Sequence, residues 1–241
     1  MIIYSKLQAL AIKSQTNDEN VIREYLQHEF LQRLYAEKKS DELFFKGGTA
    51  LRIIYHSPRY SEDLDFSVER MKIPAIENLM IETLDSLQEL NLKTEIKTSK
   101  KTSGGYLGIF VFELYNKKIE IKVEVSQRND HQNVGKPELI ENPYIISYIL
   151  MGLKQEILVS GKLSALLDRA KSRDWYDLYF MLRAQMLTAG HKQLLSQIKN
   201  KLAQVKRNFY PDLVIFLPKS HHPIIKDFKE VLLRELTRFG D

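Results

Sequence analysis

Residues 44–66 read Phe44-Phe45-Lys46-Gly47-Gly48-Thr49-Ala50-Leu51 and, a short interval on, Arg59-Tyr60-Ser61-Glu62-Asp63-Leu64-Asp65-Phe66. A short strand over 43–46 runs into a glycine pair. A helix is expected over 49–56, stopped by Pro58. Gly47 and Gly48 let the backbone approach a phosphate closely, and the free N–H groups of the following helix form an anion site. Residues 60–68 read as a strand. Its side chains alternate, so Asp63 and Asp65 fall on one face while Leu64 and Phe66 turn to the other. Two carboxylates side by side repel unless a cation sits between them. Mg²⁺, or Mn²⁺ in its place, takes carboxylate and phosphate oxygens and suits that position. A phosphate cradle beside a divalent-metal pair is the equipment of phosphoryl or nucleotidyl transfer. A lone Gly-Gly is usually a turn and a lone Asp-x-Asp a solvated strand edge; their order, with Arg59 and Ser61 between, is what points to a site.

Gly47-Gly48-Thr49 followed by Arg59-x-Ser61-x-Asp63-x-Asp65-Phe66 resembles the signature of the AbiEii/AbiGii nucleotidyltransferase toxins. These belong to the polymerase-beta-like nucleotidyltransferase superfamily, marked by Gly-Ser followed by Asp-x-Asp. Thr49 stands where the superfamily has Ser and keeps the hydroxyl. The spacer to Asp63 is longer than in many members. The resemblance, over residues 43–183, implies an α+β fold: a nucleotidyltransferase-like mixed sheet with flanking helices, plus a mainly helical C-terminal region. It implies that Lys46, Gly47, Gly48, Thr49, Arg59 and Ser61 contact the nucleotide.

A second cluster also resembles that family: Lys162-Leu163-x-Ala165-x-x-Asp168-Arg169, then Arg173-Asp174-Trp175-Tyr176-Asp177-Leu178-Tyr179. The resemblance makes Lys162 a ligand of the triphosphate. It makes Asp174 or Asp177 a catalytic or positioning residue, a base for the acceptor hydroxyl. In one unbroken helix Lys162 and Asp177 would lie ~22 Å apart, so a break is expected near 171–173. Ser172 is the expected N-cap there, with Asp174 in the first turn.

A third carboxylate is sought on residues 118–127. There Ile119, Ile121, Val123 and Val125 point one way and Glu120, Lys122, Glu124 and Ser126 the other. In the superfamily the third acid lies on a neighbouring strand. Glu124 is the choice and Glu120 the runner-up, because spacing alone does not set strand register. Lys122 shares their face and is placed to neutralise a triphosphate.

The remaining chain supports an α+β reading. Two helices are expected before residue 40, the second carrying Val21, Ile22, Tyr25, Leu26, Phe30, Leu31 and Leu34 at helical spacing and capped by Thr16, Asn17 or Asp18. A helix over 74–90 carries Ile76, Leu79, Met80, Thr83, Leu84 and Leu87 on one face. Strands are expected over 92–97, 106–115, which reads as central, 118–127 and 144–150. Residues 98–105 and 116–117 read as connections, and 128–141 as a linker. Helices follow over 154–170, 173–183, 191–207 and 223–239. The expected domains are a nucleotidyltransferase core with N-terminal helices, 1–130, and a mainly helical domain completing the site, 131–241.

With 241 residues the chain can bury a sizeable core. It has no Cys, which excludes disulfides and thiolate metal sites. No apolar run approaches the ~20 residues of a membrane span, and Met1–Lys6 lacks the features of a signal peptide. A cytoplasmic protein is expected. The net charge of +5 is compatible with a polyanionic partner but modest. Lys192, Lys199, Lys201, Lys206 and Arg207, with Lys100 and Lys101, read equally as phosphate-backbone contacts or a solvated face. His221-His222 and His56 read as structural, and Trp175 as packing.

The expectation is therefore a metal-dependent nucleotidyltransferase with Asp63, Asp65 and Glu124 as metal ligands. The resemblance implies the toxin half of a toxin–antitoxin or phage-defence pair. It implies transfer of NMP from NTP to RNA, at tRNA 3′ ends, and a separate AbiEi-like antitoxin. The alternatives are a transferase acting on a protein or a small molecule such as an aminoglycoside, and a non-catalytic binding module.

Overall fold

Alternation of apolar and charged side chains builds the sheet. The structure, a computed structural model, describes residues 1–127 and 134–240. One unit comprises Met1–His56 and Tyr60–Lys154, a second Ser57–Arg59 and Gln155–Asp241. In the first, β1 (Phe44–Lys46), β2 (Leu64–Val68), β3 (Lys93–Thr102), β4 (Gly105–Leu114), β5 (Lys117–Gln127), β6 (Gly135–Ile140) and β7 (Tyr148–Leu153) form a mixed sheet in the order β3-β4-β5-β2-β1-β7-β6. β2 runs parallel to β5 and β1 parallel to β7, and the other neighbours are antiparallel.

The helices of this unit are α1 (Tyr4–Lys13), α2 (Asp18–Leu34), α3 (Gly47–Ile53) and α4 (Ile73–Gln88). On β5, Ile119, Ile121, Val123 and Val125 are buried. Helices α2 and α4 pack on each other and on the strands, and Phe30 of α2 stacks on Phe110 of β4 at 5.9 Å. Helix α4 buries the six residues its spacing predicts. Each such aliphatic side chain contributes roughly 1.5–3 kcal/mol. Helix α2 is capped by Asn17, whose side chain accepts from the Asn20 N–H at 2.8 Å. It buries the expected apolar stripe, and also Glu24, Gln27, His28 and Glu29.

Four sheet details differ from the sequence reading. Strand β3 runs on through Lys100 and Lys101 to Thr102, where a connection was expected, with a register shift between Ile96 and Thr98. It is a largely exposed edge strand, and its lysines discourage edge-to-edge pairing while hiding the alternation. Strand β4 lies second from that edge rather than at the centre. The β4–β5 turn falls on Tyr115-Asn116, one residue early; both have positive φ, 51° and 60°, matching the twist a two-residue hairpin needs. Within the expected linker, 128–133 lie outside the described residues, and 135–140 form β6 beside β7. Pro137 is compatible with that place because β6 ends the sheet. The sheet-bearing unit thus continues past residue 130 to Lys154.

The second unit contains α5 (Gln155–Arg169), α6 (Ser172–Arg183), α7 (Lys192–Gln204), α8 (Tyr210–Leu213), α9 (His222–Lys226) and α10 (Phe228–Gly240). The single helix expected over 223–239 is interrupted at Asp227, whose ψ of 42° is not helical. Trp175 is fully buried and meets Phe209 edge-on, and Tyr176 stacks on Phe228. The break between α5 and α6 occurs at Ala170, with φ at 48°, and the extended Lys171. Its cap differs from the expected one. Asp174 accepts from the Lys171 N–H at 3.1 Å, while Ser172 is the first helical residue and donates to Asp212 at 2.6 Å.

Candidate active site

The glycine helix starts two residues earlier than its pattern suggested and ends at Ile53. Gly47 has φ at +83°, which a side chain would strain by about 1–2 kcal/mol. It also makes room for a carboxylate: a Cβ there would lie 2.1 Å from Asp65 Oδ2 and 2.8 Å from Asp65 Cβ. The first N–H groups of α3 have no acceptor within the helix, as at any helix start. Gly48 and Thr49 are buried. The Thr49 hydroxyl, expected to face the nucleotide, is fully buried and donates to the Asp63 carbonyl. It anchors the segment that carries Asp63.

Buried side chains of α2 hold the same segment. Gln27 Nε2 donates to the Ser61 carbonyl at 3.0 Å and the Glu62 carbonyl at 3.2 Å. With Thr49, two side chains thus hold three consecutive carbonyls, 61–63. Glu24 binds Arg52 of α3 through Nε at 2.6 Å and Nη2 at 3.2 Å, and accepts from the Tyr144 hydroxyl at 2.7 Å. The Arg52 guanidinium lies 3.9 Å over the Tyr60 ring. Burial opposes ionisation of Glu24, but the charge and hydrogen bonds of Arg52, with the Tyr144 hydroxyl, hold its carboxyl below the ordinary value. Burial pushes His28 down to about 4, so it is neutral at pH 7, where its Nδ1 lies 2.9 Å from the Tyr148 hydroxyl. Sequence reading missed Glu24, Gln27 and Arg52. Helix α2 is rich in polar residues throughout, so nothing in its pattern sets Glu24 and Gln27 apart.

Strand register decides between the two glutamates as neighbours of the aspartates. Asp65 of β2 lies directly opposite Glu124 of β5, and on its other side opposite Lys46 of β1. Glu120 lies further along β5, paired with Lys97 at 2.7 Å. Lys122 Nζ sits 3.0 Å from Glu124 Oε1 and 3.6 Å from Asp63 Oδ2. Partial burial works against its charge, but the hydrogen bond to Glu124 and the charges of Asp63, Glu124 and Asp65 raise its pKa above the ordinary value. Among the described residues, no three His, Cys, Asp or Glu side chains are grouped so that they could hold a metal ion as they stand. What joins Asp63 to Glu124 is the Lys122 ammonium. A cation therefore fits between these carboxylates, and a hard one suits an all-oxygen donor set. Ser61 is half-buried, and the contact that places it is that of its carbonyl.

In the second unit the helical hairpin brings Lys162 to Asp177, with Nζ 2.7 Å from Oδ2. Arg59 binds the other oxygen of Asp177 through Nε and Nη2, each at 2.8 Å. Arg59 and Asp177 are both buried, so Arg59 is committed to this pair rather than presented to solvent for a nucleotide. Burial favours the protonated Asp177, yet Arg59 and Lys162 outweigh it and lower the carboxyl pKa. Asp174 is not part of this cluster. It binds Arg169 through both oxygens, at 3.0 and 2.8 Å, while capping α6.

The sequence profile described as "Nucleotidyl transferase AbiEii toxin, Type IV TA system" matches residues 29–238. The chain belongs to this family. It is thus a nucleotidyltransferase toxin of the type IV toxin–antitoxin class. The fold agrees with two solved structures of low identity. JHP933 from Helicobacter pylori has 19% identity and a TM-score of 0.66 over 93% of each chain. The nucleotidyltransferase toxin MenT4 from Mycobacterium tuberculosis has 13% identity and a TM-score of 0.67 over 98% of this chain and 90% of its own. No curated protein matches the sequence. Among the described residues, no helix is long and apolar enough to cross a membrane.

Proposed function

We propose that this AbiEii-family chain transfers a nucleoside monophosphate from an NTP to an acceptor hydroxyl, with Asp63, Asp65 and Glu124 holding Mg²⁺ or Mn²⁺. The observation that carries the reading is the register of β2 and β5, which sets Asp65 beside Glu124 with Lys122 bridging to Asp63. The bound metal would neutralise charge on the phosphates and on the reacting oxygens. The chain's own residues supply the rest. Gly47 leaves space for the Asp65 carboxylate, and the first amides of α3 bind phosphate oxygens. Thr49 and Gln27 hold the segment that carries Asp63. Lys46 and Lys122 add positive charge on the same sheet face. From the sequence pattern of the second unit we take Lys162 as a cation for the triphosphate, held by Asp177. The acceptor hydroxyl gives up its proton to solvent as its oxygen attacks the α-phosphorus in line, the bond from that phosphorus to the bridging β-phosphate oxygen breaks, and pyrophosphate leaves.

The acceptor we propose is RNA, at tRNA 3′ ends. The partner is a separate AbiEi-like antitoxin, and the setting is phage defence in the cytoplasm. Incubating the protein with Mg²⁺, each α-³²P-labelled NTP in turn and total bacterial tRNA, beside Asp65→Asn, tests this. Label is expected in tRNA with wild type only. Label on protein or on a small molecule instead refutes the RNA acceptor, and no transfer to any acceptor refutes the activity.

A further inference from the structure

We propose that Lys122 is the resident counter-ion of the carboxylate site and that a divalent cation enters by exchange with its ammonium. The inference rests on the nucleotidyltransferase reading above. Lys122 and Glu124 are two residues apart on β5 and share a face. From there the ammonium reaches Glu124 at 3.0 Å and Asp63 at 3.6 Å, and so occupies the space between the two carboxylates. A metal bound to oxygens of Asp63 and Glu124 at ~2.1 Å cannot share that space with a positive charge already at hydrogen-bonding distance from one of them. One cation must leave when the other arrives.

The displaced ammonium has a short list of destinations. Its cross-strand neighbour on β4 is Ile109, which offers no acceptor side chain, and Glu120, two residues away on the same face of β5, is already paired with Lys97. The flexible stem and partial exposure of Lys122 let it swing away. The anion delivered together with the metal is the triphosphate, so the released ammonium gains a phosphate partner only when nucleotide is present. The exchange therefore sets two consequences of opposite sign. Without nucleotide, Lys122 competes with metal and weakens its binding. With nucleotide, Lys122 strengthens substrate binding. A lysine that merely supported the strand would weaken both when removed.

Manganese titration followed by the electron paramagnetic resonance of free Mn²⁺ tests this on the full chain as wild type, Lys122→Met, Lys122→Gln and Asp65→Asn. Both Lys122 variants are expected to bind Mn²⁺ about tenfold more tightly than wild type without nucleotide, the scale of two partly exposed ion pairs. In the transfer assay their KM for NTP is expected to rise. Equal or weaker Mn²⁺ binding by both variants, with binding still lost in Asp65→Asn, overturns the exchange and leaves the metal site standing. Mn²⁺ binding unchanged by Asp65→Asn removes the metal site itself, and the exchange with it. Melting curves of the variants, read beforehand, establish that each is folded.

Discussion

Replacing Asp177 by Asn tests whether this residue holds the second unit together. Asn keeps the shape and one acceptor but removes the charge that faces both Arg59 and Lys162 at 2.7–2.8 Å. The side chains of Arg59 and Asp177 are 3% and 2% exposed, and that of Lys162 12%. Removing one partner of a buried pair costs about 3–5 kcal/mol, because the other charge is left without compensation. Lys162 lies nearer the surface and can turn outward, whereas Arg59 cannot. The loss should therefore sit at the low end, about 3 kcal/mol. Lys162→Met should cost less, since Asp177 keeps Arg59. Trp175, two residues before Asp177 and the chain's one tryptophan, makes unfolding of this unit readable by fluorescence in urea. The pH dependence has a definite sign. The Asp177 carboxyl is held below its ordinary value, so its stabilisation is present above the ordinary Asp pKa of about 3.9 and fades as pH falls through the folded value. Wild type and Asp177→Asn should converge in acid and diverge at neutral pH. A variant within 1 kcal/mol of wild type at pH 7, with the same acid limb, refutes the reasoning. Lost transfer activity at unchanged stability would instead make Asp177 a participant in the reaction.

Two further substitutions probe the first unit. Gly47→Ala should lose about 1–2 kcal/mol to its left-handed backbone and, because the new Cβ lands on the Asp65 carboxylate, should lose most Mn²⁺ affinity as well; a variant with wild-type Mn²⁺ binding would show that Asp65 moves aside freely. Gln27→Met leaves the Ser61 and Glu62 carbonyls without their donor and should cost about 1–3 kcal/mol. If the donor serves to place Asp63, kcat should fall while KM for NTP changes little, and wild-type kcat at a lowered melting point would reduce Gln27 to a packing role.

The parts of the fold legible in the sequence are those where one face is fully dry. The stripe of α4 and the alternation of β5 were readable because burial of one face imposes the period. The edge strands were not. Residues 98–102 and 135–140 are rich in Lys, Ser, Thr, Gly and Pro, the composition of a connection, and their pairing is dictated by the neighbouring strand rather than by their own pattern. The break in the second unit was readable for a geometric reason: an unbroken helix would separate Lys162 from Asp177, and the hairpin at Ala170 brings them to 2.7 Å.

The candidate site divides along the same line. Asp63 and Asp65 lie on one short stretch, so their shared face follows from chain chemistry alone. Their pairing with Glu124 rather than Glu120 does not, because a four-residue slip of β5 would exchange the glutamates while keeping every apolar residue on the same face. What fixes the register is remote from the motif. The Tyr115-Asn116 turn locks β4 to β5 as a tight hairpin, and β5 then meets β2 with Val123, Val125, Leu64 and Phe66 buried on the helix-covered face. The polar residues of α2 complete the argument. Gln27 is all but buried yet spends its donor on the backbone two residues before Asp63. Burying an amide without a partner would cost about 1–3 kcal/mol; here its partners are the carbonyls of the segment the chemistry needs held still. A change at Gln27 should therefore reach the metal site through Asp63 while leaving the Asp65–Glu124 register intact, and this separates it from a change at Gly47, which acts on Asp65 directly.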